Sequence, residues 1–217
     1  MGGSDRDLIT HNTMEPRSYA LTTVDRVRNI RLRIESDGFD SLFVNLINGV
    51  TDFIEGECNR RFKETTYTHE LYTFHTCGQT MLILRQSPVT EVTAFEYRMG
   101  LKSSPTWQGY FPDNWELLDG GEAGIIEVSS MLEKFNRVTY KAGYKIDWEN
   151  YDDEDLHTLP SDLTDLAERL VVKWYKRREA EGKLSEGFDS SQVTWSDGLS
   201  KEDQATLNRY RRLPALT

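Results

Sequence analysis

Cysteine is scarce in this chain: Cys58 and Cys77 are the only two in 217 residues, and they form no CxxC pair. Two thiols without a spacing pattern argue against a disulfide scaffold and for a reduced protein made in a cytoplasm. Histidine is nearly as rare. His11, His69, His75 and His157 are scattered, HExxH is absent, and His69 and His75 are too far apart for a ligand pair, so no metal is expected. Long apolar runs are missing as well. No stretch approaches the ~18 apolar residues of a membrane-spanning helix, and the opening MGGSDRDLIT lacks the apolar core of a signal peptide. Gly2 is not followed by the Ser or Thr of a myristoylation signal, because Arg6 occupies that place. The expectation is a soluble chain with no membrane partner.

A cationic excess is also lacking, since 26 Lys and Arg stand against 36 Asp and Glu, for a formal charge of −10. Proteins that grip nucleic acid by counterion release show the opposite bias. The imbalance is local: Asp147, Glu149, Asp152, Asp153, Glu154, Asp155, Asp162 and Asp165 lie within residues 147–165 with no Lys or Arg between them. The run Asp152 to Asp155 has neither the alternating ligands nor the central Gly of a calcium loop, and reads as a solvated acidic loop. There is no GxSxG and no phosphate-binding Gly-Lys-Ser/Thr, and pairs such as Asp113 with Glu116 carry no specific signal. The expectation is no catalytic residue and no cofactor, hence not an enzyme.

Two stretches do carry a strong pattern. Phe39, Leu42, Phe43, Leu46, Ile47, Val50, Phe53 and Ile54 draw one apolar stripe at helical spacing, and so do Leu163, Leu166, Ala167, Leu170, Val171, Trp174 and Tyr175. These predict helices over 38–61 and 161–180, the first closing on the cations Arg60 and Arg61. A shorter helix over 22–33 follows from a capping box of Thr22 with Asp25. Its Arg26, Arg28, Arg31 and Arg33 form a basic patch. It is either a solvated face with Val24, Val27 and Ile30 turned inward, or a docking surface for an acidic neighbour such as 147–165 of another copy.

Between the long helices, residues 64–146 change period. Tyr67–Phe74, Met81–Arg85, Val89–Arg98, Gly124–Val128 and Arg137–Tyr144 are rich in Thr, Val, Ile, Tyr and Phe, with turns at Cys77-Gly78-Gln79 and Ser87-Pro88. The Gly/Pro-rich stretch 100–121 holds Trp107, Tyr110, Phe111 and Trp115. These aromatics either lid their own sheet or form a contact loop. Residues 1–20 read as a flexible arm, and 183–217 as a tail with a short helix from Lys201 to Tyr210. That tail is too apolar for a linker and too small for a core, so it is expected to order on a partner through Trp195, Tyr210, Arg211 and Arg212. The fold class is α+β: a small helical bundle of two long amphipathic helices plus a short one, a β-rich insert between the long helices, and an extended C-terminal tail.

Six pieces in order carry a family resemblance: Leu21-Thr22-Thr23-Val24-Asp25, Phe53-Ile54-Glu55 with Asn59-Arg60-Arg61-Phe62, Leu82-Ile83-Leu84 with Ser87-Pro88-Val89-Thr90-Glu91-Val92, Val138 to Tyr144, Leu159-Pro160-Ser161-Asp162-Leu163, and Trp174 to Arg178. Over roughly 21–182 and the terminal Tyr210-Arg211-Arg212, the chain resembles the head–tail connector (adaptor) proteins of long-tailed double-stranded-DNA bacteriophages. The resemblance implies a structural virion protein, assembled in the host cytoplasm and located in the neck. It implies a homo-oligomeric ring of twelve copies, docked on the portal protein and joined to the next head-completion or tail-terminator protein. DNA would pass through the lumen without tight binding. On that reading, Trp195, Tyr210, Arg211 and Arg212 are portal or neighbour contacts. Arg26, Arg28, Arg31, Arg33, Asp152, Asp153, Glu154 and Asp155 are intersubunit or lumen charges. The N-terminal arm, the 100–121 loop and the acidic run before Pro160 depart from the family pattern. The alternative is a monomeric or dimeric ligand-binding module using the aromatic 100–121 loop.

Overall fold

The computed structural model describes residues 15–75, 78–100, 104–181 and 199–212, apart from the side chains of 179–181. The described chain is mixed α+β and divides into two compact units: Met1–Phe53 with Asp162–Asp197, and Ile54–Ser161 with Gly198–Thr217. Helix α1 (Asp40–Cys58) contributes to both, while helix α2 (Ser161–Glu181) lies almost wholly in the first.

In the first unit the apolar stripes behave as their spacing predicts. Phe43, Val44, Ile47 and Val50 of α1 are buried, as are Leu163, Leu166, Ala167, Leu170, Val171 and Tyr175 of α2. The Phe43 and Tyr175 rings lie 5.2 Å apart, and Phe53 meets Trp174 edge-on at 5.9 Å. Phe39, at the start of the stripe, stays 44% exposed. The short helix differs from expectation. It is a π-helical segment, Arg26–Leu32, closed by Arg33 in the left-handed region. Asp25 precedes it without a side-chain cap, and the Arg26 N–H is met by Thr23 Oγ1 at 3.3 Å, one residue later than the Thr22 of the expected capping box. The wider turn rotates the side chains, so Val27 is buried but Ile30 is 61% exposed rather than turned inward.

The second unit is a β-sandwich. Strands β1 (Thr65–Thr73), β7 (Phe135–Ala142), β3 (Val89–Met99) and β4 (Thr106–Gly109) make one antiparallel sheet in that order. Strands β2 (Met81–Ile83), β6 (Ile125–Val128) and β5 (Trp115–Leu117) make the other. Alternate residues of each strand turn inward: Leu82, Ile126 and Val128 from the smaller sheet pack with Phe95, Val138, Tyr140 and Ala142 from the larger. Strands β4 and β5 lie inside 100–121, where the sequence suggested only loop. Pro105, Gly109, Pro112, Gly120 and Gly121 lie in and around them, and these read as turn and loop signals that mask two short strands.

The chain enters this unit at the end of α1. Asn59 adopts φ 51°, which stops the helix, so Arg60 and Arg61 lie beyond its last turn rather than on it. Arg60 donates to the Ser87 carbonyl and Arg61 pairs with Glu55. Helix α3 (Lys201–Tyr210) also belongs here, capped by Ser200, whose Oγ accepts from the Asp203 N–H while the Asp203 carboxylate accepts from the Ser200 N–H. Leu207 is fully buried, and the Arg212 N–H donates to the Cys58 carbonyl at 2.9 Å. This part of the tail therefore orders against its own chain, and its helix lies where the sequence suggested one, from Lys201 to Tyr210.

Candidate functional site

The basic patch comes first. Glu168 of α2, only 1% exposed, accepts from Arg26 Nε at 2.7 Å, from Arg31 Nε at 2.6 Å and from the Thr22 hydroxyl at 3.4 Å. Arg31 also pairs with Asp165, and Arg28 grips Asp40 with both carboxylate oxygens at 2.9 Å from Nη1. A buried carboxylate is tolerable only when its lone pairs are filled, and two guanidinium groups and a hydroxyl do that here. Three of the four cations are thus engaged within the unit. Arg33 alone remains exposed and without a carboxylate partner among the described residues.

The acidic run forms an ordered surface loop. Asp147 accepts from the backbone N–H groups of Glu149 and Asn150 and from the Asn150 amide, which holds its carboxyl below the usual carboxylate range. Asp153 likewise accepts from the Asp155 N–H at 2.9 Å. Behind them, Trp148 and Tyr151 stack with planes 9° apart, and both contact the ring of buried His157. Residues Glu149 to Glu154 line an open concavity of about 620 Å³ that offers carboxylates, one amide and one phenol. Among the described residues, no group of three or more His, Cys, Asp or Glu could hold a metal ion. Nor is any described helix long and apolar enough to cross a membrane.

The aromatics of 100–121 are mostly committed to their own sheets. Tyr110 stacks on Phe95 at 4.2 Å and donates its hydroxyl to Asn136 at 2.8 Å, and Trp115 meets Phe95 edge-on. Trp107 lies under the Arg137 guanidinium at 4.4 Å, while Phe111 is 68% exposed.

Of the expected anchors, Trp195 falls outside the described residues. Tyr210 contacts Phe62, Arg211 pairs with Glu57 at 2.7 Å, and Arg212 is the residue whose N–H meets Cys58. Burial lowers the Arg212 pKa from the ordinary guanidinium value and pushes the Cys58 thiol up to about 11.

A polar cluster that sequence reading missed lies beside this tail. The Tyr72 and Tyr140 hydroxyls both donate to Glu70 Oε2, and Arg85 Nη1 reaches Oε1 at 3.3 Å. Desolvation and the Glu70 charge push both phenols up, so they stay protonated donors. The inward position of Glu70 depends on the register break between Tyr67 and Glu70, where His69 has φ 52°. Nothing in the local pattern announces that break.

Set against known proteins, the chain matches the model of the head completion protein family over residues 20–213. No curated protein matches it. Among solved structures it is similar to chains of a gene transfer agent particle, at 17% identity in each case. The neck of the empty particle, computed with C6 symmetry, aligns over 87% of this chain and 88% of that one with a TM-score of 0.48. The neck of the native particle, computed with C12 symmetry, aligns over 83% and 87% with a TM-score of 0.47. The virion of the native particle gives 88% and 88% with 0.49. The family match runs through both units, from residue 20, ahead of the π-helical segment, to residue 213, and it shows that this chain belongs to the head completion protein family.

Proposed function

We propose that this chain assembles into a ring of twelve copies that docks on the portal, extends the DNA channel and joins the capsid to the next neck or tail component. The family match over residues 20–213 is the observation that carries this reading. The charge distribution supports the channel role. The loop from Glu149 to Asp155 is exposed and holds only acidic charge, and the chain has a formal −10. A lumen bordered by such loops repels the phosphate backbone and lets DNA slide instead of gripping it. The basic residues Arg26, Arg28 and Arg31 are engaged by Asp40, Asp165 and Glu168 of their own chain, which leaves them unavailable to grip DNA.

Imaging of the virion neck tests the proposal. The expected density is a symmetric ring of this chain beneath the portal, absent from particles made without it, which should contain heads that fail to join tails. Tailed, infectious particles without this chain would refute it.

A further inference from the structure

The β-sandwich leaves two sheet faces pointing in opposite directions, because the inner faces of both sheets are used up by the shared core. The outer faces differ in chemistry. On the smaller sheet, the ladder places Met81 opposite Glu127 and Ile83 opposite Ile125, while Glu116 lies directly opposite Glu127. Met81 and Ile83 are 49% and 53% exposed. Neither Glu116 nor Glu127 has a cationic partner among the described residues. Two carboxylates facing each other across a ladder repel, so this face combines an exposed apolar strip with uncompensated negative charge.

The outer face of the larger sheet is its complement. Arg98 pairs in register with Trp107, Thr73 with Phe135 and Leu71 with Arg137. Leu71 is 57% exposed. The Arg98 guanidinium lies 3.6 Å from the Phe135 ring and Lys134 Nζ lies 5.5 Å from it, yet neither cation has a carboxylate partner among the described residues. Arg137 differs, being held by Glu96 at 2.6 Å. This face therefore offers Trp, Phe and Arg, residue types enriched at interfaces, beside an exposed Leu and uncompensated positive charge.

We propose that the acidic face of the smaller sheet, Met81, Ile83, Glu116 and Glu127, docks on the cationic face of the larger sheet, Leu71, Arg98, Trp107 and Phe135, of a second copy of this chain. The two faces are complementary in charge, and each carries apolar side chains beside its charges. Because they point opposite ways on one unit, each copy can be bound on both sides. Such a contact is heterologous, and repeated by rotation it closes a ring. The inference rests on the ring reading above and names the surfaces that make the ring.

Charge reversal on one face at a time tests it. Glu116→Lys with Glu127→Lys makes both faces positive, and Arg98→Glu with Lys134→Glu makes both negative. Each full-length variant should self-associate at least about tenfold more weakly than the unaltered chain in sedimentation velocity, with an unchanged circular dichroism spectrum. Mixed in equal amounts, the two variants should associate again in alternation, and added salt should weaken the contact in the unaltered chain. Variants that associate like the unaltered chain, or a mixture that does not recover, would overturn the docking. If the unaltered chain is monomeric in solution, the same comparison is made in virions, where each variant should lose ring density and co-expression restore it. Intact rings from either variant would refute these surfaces while leaving the ring reading in place, whereas particles with no ring of the unaltered chain would refute the ring itself.

Discussion

Gly143→Ala should be among the most damaging single changes in the second unit. Gly143 follows β7, is buried, and adopts φ 112°, a region closed to residues with a Cβ. Its N–H donates to the Pro88 carbonyl at 2.8 Å, which fixes that conformation. A Cβ built there would stand 2.7 Å from Glu64 N, Lys63 C and Lys63 O, all backbone atoms that cannot swing aside. Forcing an L residue into that region costs roughly 1–3 kcal/mol, and the overpacking adds about 1–3 kcal/mol, so a loss of about 4 kcal/mol is expected. For a chain of this length that lowers the melting midpoint by roughly 8–16 °C. Gly56→Ala is the control. Gly56 lies in α1 with nothing within 4 Å of the added Cβ, so the gain in helix propensity should stabilise by about 1 kcal/mol. Urea unfolding monitored by circular dichroism reads both. A Gly143→Ala protein within 1 kcal/mol of the unaltered chain would refute the reasoning.

Three further outcomes follow from the ion pairs and the buried thiol. Glu168→Ala removes the shared acceptor of Arg26 and Arg31; because both guanidinium groups keep some access to water, the loss in urea unfolding should be about 2–3 kcal/mol, below the value for a fully buried pair, and a loss under 0.5 kcal/mol would show the network to be idle. Hydrogen bonding to Arg137 lowers the Glu96 pKa from its ordinary value, so its contribution is complete above the unfolded carboxylate pKa of about 4.3 and disappears as pH falls through the lowered folded value; Glu96→Gln should flatten that part of the acid limb of a stability–pH curve, and an unchanged limb would contradict it. With the Cys58 thiol pushed up to about 11, a Cys77→Ser protein should react with a thiol reagent at pH 8 only on unfolding, so rapid labelling of the native protein would show that Cys58 is open to solvent.

Much of the scaffold could be read from local sequence. Both long helices announced themselves because periodicity is a property of neighbouring residues: the spacing of Phe43, Ile47 and Val50, or of Leu163, Leu166 and Leu170, fixes which face each helix buries before any partner is known. The five β runs outside 100–121 were legible from their Thr, Val, Ile, Tyr and Phe content, as were the ordered pieces that pointed to the connector family. What tertiary structure alone decided are pairings between residues far apart in the chain. Glu168 takes Arg31 from 137 positions away, which turns a basic patch that looked available into internal bracing. Arg211 finds Glu57 across 154 positions, so the described part of the tail packs on the chain it belongs to. Strands β4 and β5 are held by their ladders to β3 and β6, pairings that the Gly and Pro residues around them do not announce. Even the opposed charges of the two outer sheet faces are a product of register. Glu116 and Glu127 are 11 positions apart in sequence, and only the β5–β6 ladder sets them side by side.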